Sequence, residues 1–522
     1  MNKLLKLRPL AALLVTAMLA IPFNSCTDLE AEVYSDLTPE NFPTGELDVI
    51  ASFASCYTNL YGYQNHNGYM SSIEIASDEA MIPQRGNDWF DGGIWLRQHQ
   101  HQYNPSEGHI NSAWTFLYRG ALQCNDVINL LNSEAGRAAV SEADRLQFIG
   151  ELRSLRALFY FWLIDAFGDV PLVTGDEEAV DVQPTRTPRA DIFNFIVSEV
   201  EDAKGSLSRE VGQATYARFN YFGAEALLSR FYLNAEVMTG TARWAEAAAA
   251  AERAMDGPYE LESDYHANFA PDNDQSFAGT SENMLVIPYD PILATGFNLP
   301  QMTLHYNSQA TFGLEETPWN GYCSLQEFYE SYDDNDLRKG EINNQTTPGN
   351  FLAGQQFDQN GDSIFDGNTP LFFNPEVNEL FPNAERTAGV RIFKFHFPDG
   401  SAQNLPNDFP LIRYAEVLLN RAEALFRQNS GDAEALMLVN MVRNRAYGDE
   451  DNGYDSLNED RLLAERGREL FFEGHRRTDL IRFDRYGDEW DFKPASDATK
   501  QIFPIPADQL NANRNLTQNP GY

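Results

Sequence analysis

Apolar residues recur at three- and four-residue spacing over long stretches of this chain. In Glu151–Phe167 (ELRSLRALFYFWLIDAF), Leu152, Leu155, Phe159, Trp162 and Ala166 keep that spacing, which predicts a helix with one apolar face. The pattern returns in Leu411, Ala415, Leu418, Ala422 and Leu425, and again in Ala435, Val439, Val442 and Ala446. Further helices are predicted near 46–62, 108–132, 189–204, 217–236, 243–255, 458–473 and 475–485. The stop signals agree. Gly168 follows the first helix with Pro171 close behind, and Gly257-Pro258 ends an Ala-rich helix that starts near Trp244. Consecutive helices of similar length on short polar turns predict helix-turn-helix repeats of tetratricopeptide type. The alanines of Trp244–Pro258 supply the close helix approach such repeats need.

Two stretches break the helical period. Residues 63–106 are rich in Gly, Asn, Gln, His and aromatics, and residues 256–409 in Asn, Asp, Gly, Pro and aromatics. Irregular segments this long in a compact protein are usually functional. Aromatics that read as exposed gather there: Trp89, Phe90, Trp95, Phe297, Tyr306, Phe312, Trp319 and Tyr322. The predicted organisation is a helical region over 46–255 with the loop 63–106 inserted, an irregular ligand-binding lobe over 256–409, and C-terminal helices with a tail over 410–522. The fold class is mainly α.

The N-terminus changes where this scaffold is expected to sit. Lys3, Lys6 and Arg8 precede an apolar run, Leu10–Phe23, that is too short to span a bilayer and has no stop-transfer segment after it. Ser25-Cys26 then places a small residue before a cysteine. This reads as a lipoprotein signal, residues 1–25, with Cys26 as the lipid attachment site and 26–45 as a tether; an ordinary secretory signal is the second reading. Several acyl chains, at about 0.8 kcal/mol per buried methylene, hold a protein to a membrane without a spanning helix. Loss of residues 1–25 removes those three basic residues and no acid, so the formal charge moves from −39 to −42. Such a field repels nucleic acid and polyanions and favours neutral ligands. Cys56, Cys124 and Cys323 form no disulfide framework and contain no CxxC. They read as small buried residues, and a Cys56–Cys124 bridge stays open in an oxidising compartment.

The densest charge pattern is Glu465–Arg482 (ERGRELFFEGHRRTDLIR). Glu465, Glu469 and Glu473 share a helix face beside Arg466, Arg468, Arg476, Arg477 and Arg482. The spacing fits no metal-ligand set that would use His475, and arginines keep acids ionised, the reverse of a general acid. A fold-locking ion network is the expectation. His99 and His101 would share one face of a strand, with no convincing third zinc ligand. Asp358, Asn360 and Asp362 resemble the start of a calcium loop, but Gly361 falls early and the twelfth position holds no glutamate, so an Asn-Gly turn is expected. No carboxyl pair stands in a setting that separates two pKa values, which argues against a hydrolase. No catalytic residue, metal or cofactor is predicted. Asp78–Trp95 (DEAMIPQRGNDWFDGGIW) and Trp319–Ser324 (WNGYCS) instead combine flat rings with amides and charged forks. Sugars need both, so Asp78, Arg85, Asn87, Trp89, Trp319 and Tyr322 are the candidate ligand residues.

Four ordered blocks then carry a family resemblance: Arg153–Leu172 (RSLRALFYFWLIDAFGDVPL), Arg413–Leu425 (RYAEVLLNRAEAL), the ERGREL…FEGHRR…DLIR motif and the ending Phe503–Tyr522. Behind a lipoprotein signal, the chain resembles the SusD/RagB group of surface lipoproteins from starch-utilisation-type uptake systems. The resemblance implies four tetratricopeptide-like helix pairs and an irregular glycan-binding lobe. It also implies a partner, a TonB-dependent outer-membrane transporter that the lipoprotein covers as a lid. Asp28 and Glu30 fit the acidic export signal of such lipoproteins. The Ser77–Glu79 segment and the Asn320-Gly321-Tyr322 step match positions lining the ligand recess of starch-binding relatives, Asn87 a hydroxyl-binding asparagine, and Phe297 an aromatic platform. Tyr322 stands where those relatives carry tryptophan, which argues against starch itself. The resulting expectation is non-catalytic capture of a neutral oligo- or polysaccharide at the outer surface of the outer membrane. Peptide capture, known among relatives, and a secreted glycoside hydrolase are the alternatives.

Overall fold

A computed structural model of the chain describes residues 42–175, 183–274, 282–343, 345–448 and 452–522. The signal segment, Cys26, Asp28 and Glu30 lie outside the described residues. The compact unit spans Pro43–Tyr522. The main helices are α1 (Glu46–Thr58), α2 (Gly108–Asn132), α3 (Glu142–Phe167), α4 (Arg189–Ala203), α5 (Tyr221–Leu233), α6 (Trp244–Met255), α7 (Tyr414–Gln428), α8 (Ala433–Tyr447), α9 (Glu459–Glu469) and α10 (Arg476–Arg482). From α2 to α9 each helix packs on the next in chain order, the helix-pair stacking of a tetratricopeptide-like scaffold.

Local chemistry sets the helix ends. Ser141, Asn220, Asp432 and Asn458 accept the backbone N–H three residues on and so cap α3, α5, α8 and α9. Helix α3 departs from the one-face prediction. From Glu151 to Phe167 it is buried nearly all round, because α2 covers one side and α4 the other. Its charged residues are paired as that burial requires: Arg156 with Glu199, Glu151 with Arg218 and Asp165 with Arg477.

Helix α6 buries Ala247, Ala250, Ala251 and Ala254 between α5 and α7. Those methyls let α6 and α7 meet although residues 256–413 separate them in sequence. The irregular lobe is therefore an insertion into a continuous stack. Strand β1 (Ala80–Met81) lies in the 63–106 segment, and the short strands of the lobe include β2 (Asn283–Ile287), β3 (Cys323–Ser324), β4 (Phe351–Leu352), β5 (Arg391–Ile392) and β6 (Phe409–Arg413). Strand β6 runs antiparallel to β2, pairing Phe409 with Ile287 and Arg413 with Asn283. This corrects the helical reading of Leu411: the segment is a strand, and α7 begins at Tyr414. A separate small core of Leu304, Phe312, Leu314, Leu352, Leu371, Phe373 and Phe393 fills the lobe.

Arg413, where β6 turns into α7, sits in the predicted ion network. Its guanidinium meets Glu473 at 2.7 Å, Glu469 at 3.0 Å and Glu282 more closely still. Arg338 bridges Glu465 at 2.8 Å and Glu469 at 3.0 Å, and Arg445 joins Glu282 to Glu469. Asp479 takes Arg466 and Arg482, and Glu423 takes Arg482 and Arg427. His475 is buried beside Glu416, and burial brings its pKa down to about 4. Among the described residues no cluster of three His, Cys, Asp or Glu is arranged to hold a metal ion.

The other motifs also resolve. His99 ends a short helix and His101 has a left-handed φ of 55°, so they do not share a strand face. Both are core residues: His99 bonds the Asp491 carbonyl, and His101 bonds Ser496 and the Ala76 carbonyl. Asp358 Oδ1 accepts the N–H groups of Asn360 and Asp362, closing the expected turn. Cys56, Cys124 and Cys323 are buried free thiols.

Removing one member of the network leaves a buried charge unpaired, so Glu469→Ala is expected to cost about 3–5 kcal/mol in a denaturant melt. The pH dependence has a defined sign. Burial opposes ionisation of Glu465, but Arg338, Arg468 and Arg443 outweigh it and hold its pKa at about 2, against an ordinary 4.5. Its stabilisation is complete above about pH 4.5 and is lost as pH falls toward 2. Melting temperatures between pH 7 and pH 3 should fall on the acid side, and Glu465→Gln should flatten that fall. An unchanged acid limb in the variant would remove Glu465 from this role.

Candidate functional site

The site is built where two loops of distant sequence meet. β1 pairs antiparallel with β3, Ala80 opposite Ser324 and Met81 opposite Cys323, which brings the 85–93 loop against residues 319–322. The Trp89 indole N–H donates to the Trp319 carbonyl at 2.7 Å. Both indoles are half-buried. His66 lies edge-on to each, 6.2 Å from Trp89 and 5.3 Å from Trp319. Burial lowers the His66 pKa below its usual 6.5, so this ring is neutral at pH 7.

Glycine makes the junction possible. A Cβ on Gly321 would stand 2.5 Å from the Trp89 ring and 2.7 Å from the Met302 carbonyl. Beneath, buried Arg85 donates to the carbonyls of Asn320 (2.9 Å), Gly321 (2.8 Å) and Ala388 (3.0 Å). Buried Arg391 holds the Asn320 side chain at 2.8 Å and the carbonyls of Ala388 and Arg386. Both guanidiniums are spent on backbone and amide oxygens, and burial lowers the pKa of each. His305 nearby is brought down to about 3 by burial and by Arg391, Arg386 and Arg85. On the outer side Asn87 and Asp88 are exposed, the Tyr306 hydroxyl bonds Asp88, and Arg386 lies 4.8 Å from the Tyr306 ring centre.

The candidate residues therefore divide. Trp89, Trp319 and Asn87 come together at the surface. Arg85 belongs to the site as a buried positioning residue that holds the loop, not as a ligand contact. Tyr322 is 1% exposed, its hydroxyl tied to Ser71 at 2.6 Å, and it supports Trp89 edge-on from within. Phe297 is 0% exposed among Tyr289, Phe395 and Phe409, so it is core and no platform. Trp95 and Phe312 are likewise buried. Asp78 pairs with Arg476 at 2.6 Å and lines a different cleft of about 280 Å³ with Glu327, Phe328 and Trp490. His66 and Arg391 were missed, each a single polar residue without a motif around it, whereas Asp88 lies in the Asp78–Trp95 segment but outside the candidate ligand set.

One carboxyl pair that the sequence conceals also appears. Glu74 and Glu79 are fully buried; Glu74 accepts the Gly474 N–H at 2.7 Å and Glu79 the Phe472 N–H at 2.9 Å. Burial and the Glu74 charge push the Glu79 pKa well up, so Glu79 keeps its proton against Glu74. Both acids are closed off from any substrate.

Fold and site together define a helical-repeat scaffold with an inserted recognition lobe. Two family models match it in succession, one described as starch-binding, associating with outer membrane, over residues 29–233, and one as SusD family over residues 295–522. The chain belongs to the SusD/RagB family. The starch-binding protein SusD of Bacteroides thetaiotaomicron is 26% identical over 425 residues, 73% of this chain and 74% of that protein. A SusD-like protein of Bacteroides ovatus is 24% identical over 491 residues, 91% and 82% of the two chains. A laminarin-binding SusD-like protein superposes with a TM-score of 0.72 at 21% identity, covering 92% of this chain and 100% of the other. Surface glycan-binding protein A from Bacteroides thetaiotaomicron, in complex with laminarihexaose, gives 0.71 at 20% identity, 91% and 99%. At such identities these superpositions speak to the fold.

Gly321→Ala should push Trp89 off its seat, with a cost of about 1–3 kcal/mol typical of overpacking. The measurement is a thermal melt with near-UV circular dichroism. A native aromatic spectrum in this variant would show that the junction tolerates a methyl.

Proposed function

We propose that this chain is a non-catalytic glycan-binding protein that captures a neutral oligo- or polysaccharide at the cell surface for a TonB-dependent outer-membrane transporter. One observation carries the reading. Two half-exposed indoles, Trp89 and Trp319, are held by a direct hydrogen bond over a buried arginine pair, with Asn87 and Asp88 beside them. Flat apolar rings accept the C–H face of a sugar, and neighbouring amides and carboxylates accept and donate at its hydroxyl rim. The names of the relatives, starch-binding and laminarin-binding, agree with this chemistry. Each ring contributes modestly, at about 25 cal/mol per Å² of apolar area covered, so useful affinity needs several sugar units.

Calorimetry with neutral and anionic glycans tests the proposal. Trp319→Ala should weaken binding of the cognate neutral glycan by about tenfold or more. Affinity should change little between low and high salt, because no ion pair forms with a neutral ligand. Retention of peptides alone, binding of polyanions alone, or release of reducing ends from polysaccharide would each overturn this reading.

Anchoring through Cys26 is the remaining part. Cys26→Ala should move the protein from the membrane fraction to the soluble exported fraction with its thermal melt unchanged. Continued retention in cells that lack the transporter would contradict lipid attachment.

A further inference from the structure

Two partly exposed phenyl rings sit on loops that adjoin the Trp89–Trp319 junction. Phe90 is 46% exposed and Phe381 43%, from loops nearly three hundred residues apart, yet their ring centres are 6.4 Å apart with a 37° tilt. Their backbones are fixed. The Gln84 N–H donates to the Leu380 carbonyl at 2.9 Å, and the Ala384 N–H returns to the Gln84 carbonyl at 3.0 Å. The Arg85 N–H donates to the Asp88 carbonyl at 3.2 Å, and Arg85 forms a further bridge with Asn383.

On the other flank the turn is locked by side chains. Asp91 accepts the Trp95 indole N–H at 2.8 Å, and Arg97 donates to the Gly92 carbonyl at 2.9 Å. Trp89 and Asp91 hold left-handed φ values of 57° and 41°, which a bulky residue adopts only under surrounding constraint. A loop under such constraint that leaves apolar rings in solvent gains nothing in stability from their exposure. The constraint holds the two paired rings partly exposed.

Phe90 follows Trp89 directly, about 3.8 Å along the chain, so the phenyl pair is carried by the same loop as the Trp89 indole. Resting on the glycan-binding reading above, we propose that Phe90 and Phe381 form a second stacking subsite for the same neutral saccharide chain, beyond the units held at Trp89 and Trp319. Phenyl rings carry no hydrogen-bonding atom. This subsite therefore reads chain length and the presence of an open C–H face, while the hydroxyl pattern is read at Asn87, Asp88 and the indoles. Short oligosaccharides reach only the indoles; longer ones span both platforms.

The test uses the full chain as wild type, Trp319→Ala, Phe90→Ala, Phe381→Ala and the double phenylalanine variant. Affinity electrophoresis in laminarin, amylose, galactomannan and arabinoxylan selects the polysaccharide that retards the wild type. Its two- to seven-unit oligosaccharides are then titrated by calorimetry. The double variant should match wild type within about twofold on the shortest oligosaccharide that binds, and should lose about ten- to thirtyfold on the longest. Equal weakening at every length, or none at any length while Trp319→Ala still weakens binding, overturns the second subsite and leaves the glycan reading standing. Failure of all four polysaccharides to retard the wild type overturns both.

Discussion

The buried junction around Arg413 is the interaction on which the rest of the structure depends. One guanidinium sits where a lobe strand becomes a scaffold helix, and it is shared among Glu282 before β2, Glu469 at the end of α9 and Glu473 in the turn after it. Ionised carboxylates cannot be left in such a place without cations, and the cations cannot be left without them. The two ends of the lobe are therefore tied to the C-terminal helices by a condition of charge balance. A hydrophobic contact could slide by a few tenths of an ångström at small cost. A multidentate guanidinium fork cannot, because its geometry is planar and directional.

That rigidity passes outward to the binding face through short steps. Past Glu473, Gly474 takes a φ of +83° beside the Tyr63 hydroxyl, and its N–H meets Glu74. Glu79, whose pKa burial and Glu74 push up, accepts from Phe472, and Asp78 between them pairs with Arg476. Residues 74–79 lead directly into β1, and β1 carries the Trp89 loop to its partner. At the far end Arg85 and Arg391 gather the carbonyls of the Asn320–Gly321 step. The aromatic face stands at the end of a chain of hydrogen-bonded buried polar groups. Its geometry is thus set by the fold rather than by its own loop sequence.

The scaffold was legible in the sequence because helical burial writes a period into it. Segment 151–167 carries both the period and the stops, 244–255 carries its alanine spacing and a Gly-Pro stop, and the Glu-Arg motif declares an ion network by composition alone. Strand β6 was misread as helix since Leu411 happens to fall on the helical spacing of α7. The site was legible only by half. In a lobe without period, an aromatic that fills the small core and one that faces water have the same neighbours in sequence. Phe297 and Phe312 stand among Gly, Asn and Thr much as Trp89 and Trp319 do, and only the three-dimensional packing separates them. Asp78 and Arg85 read as ligand contacts because planar charged groups in a segment rich in flat rings suit the hydroxyl rim of a sugar. Their partners, Arg476 and the 320–321 carbonyls, lie hundreds of residues away.

This division also explains how one fold can serve different ligands. Tyr322, Gly321, Arg85 and Arg391 fix the position of the indoles and are buried, so their identity is tied to stability. Trp319, Phe90 and Phe381 hold no buried ion pair, and Phe90 and Phe381 lie outside the core, so changes there leave the ion network intact. The strong acidity of the chain fits the same separation. Within the junction the acids are matched by arginines and a lysine, so the excess negative charge lies elsewhere, mostly on exposed side chains. Under the proposed function, selection for a neutral chain rests on ring geometry, which Gly321, Arg85 and Arg391 hold in place from beneath.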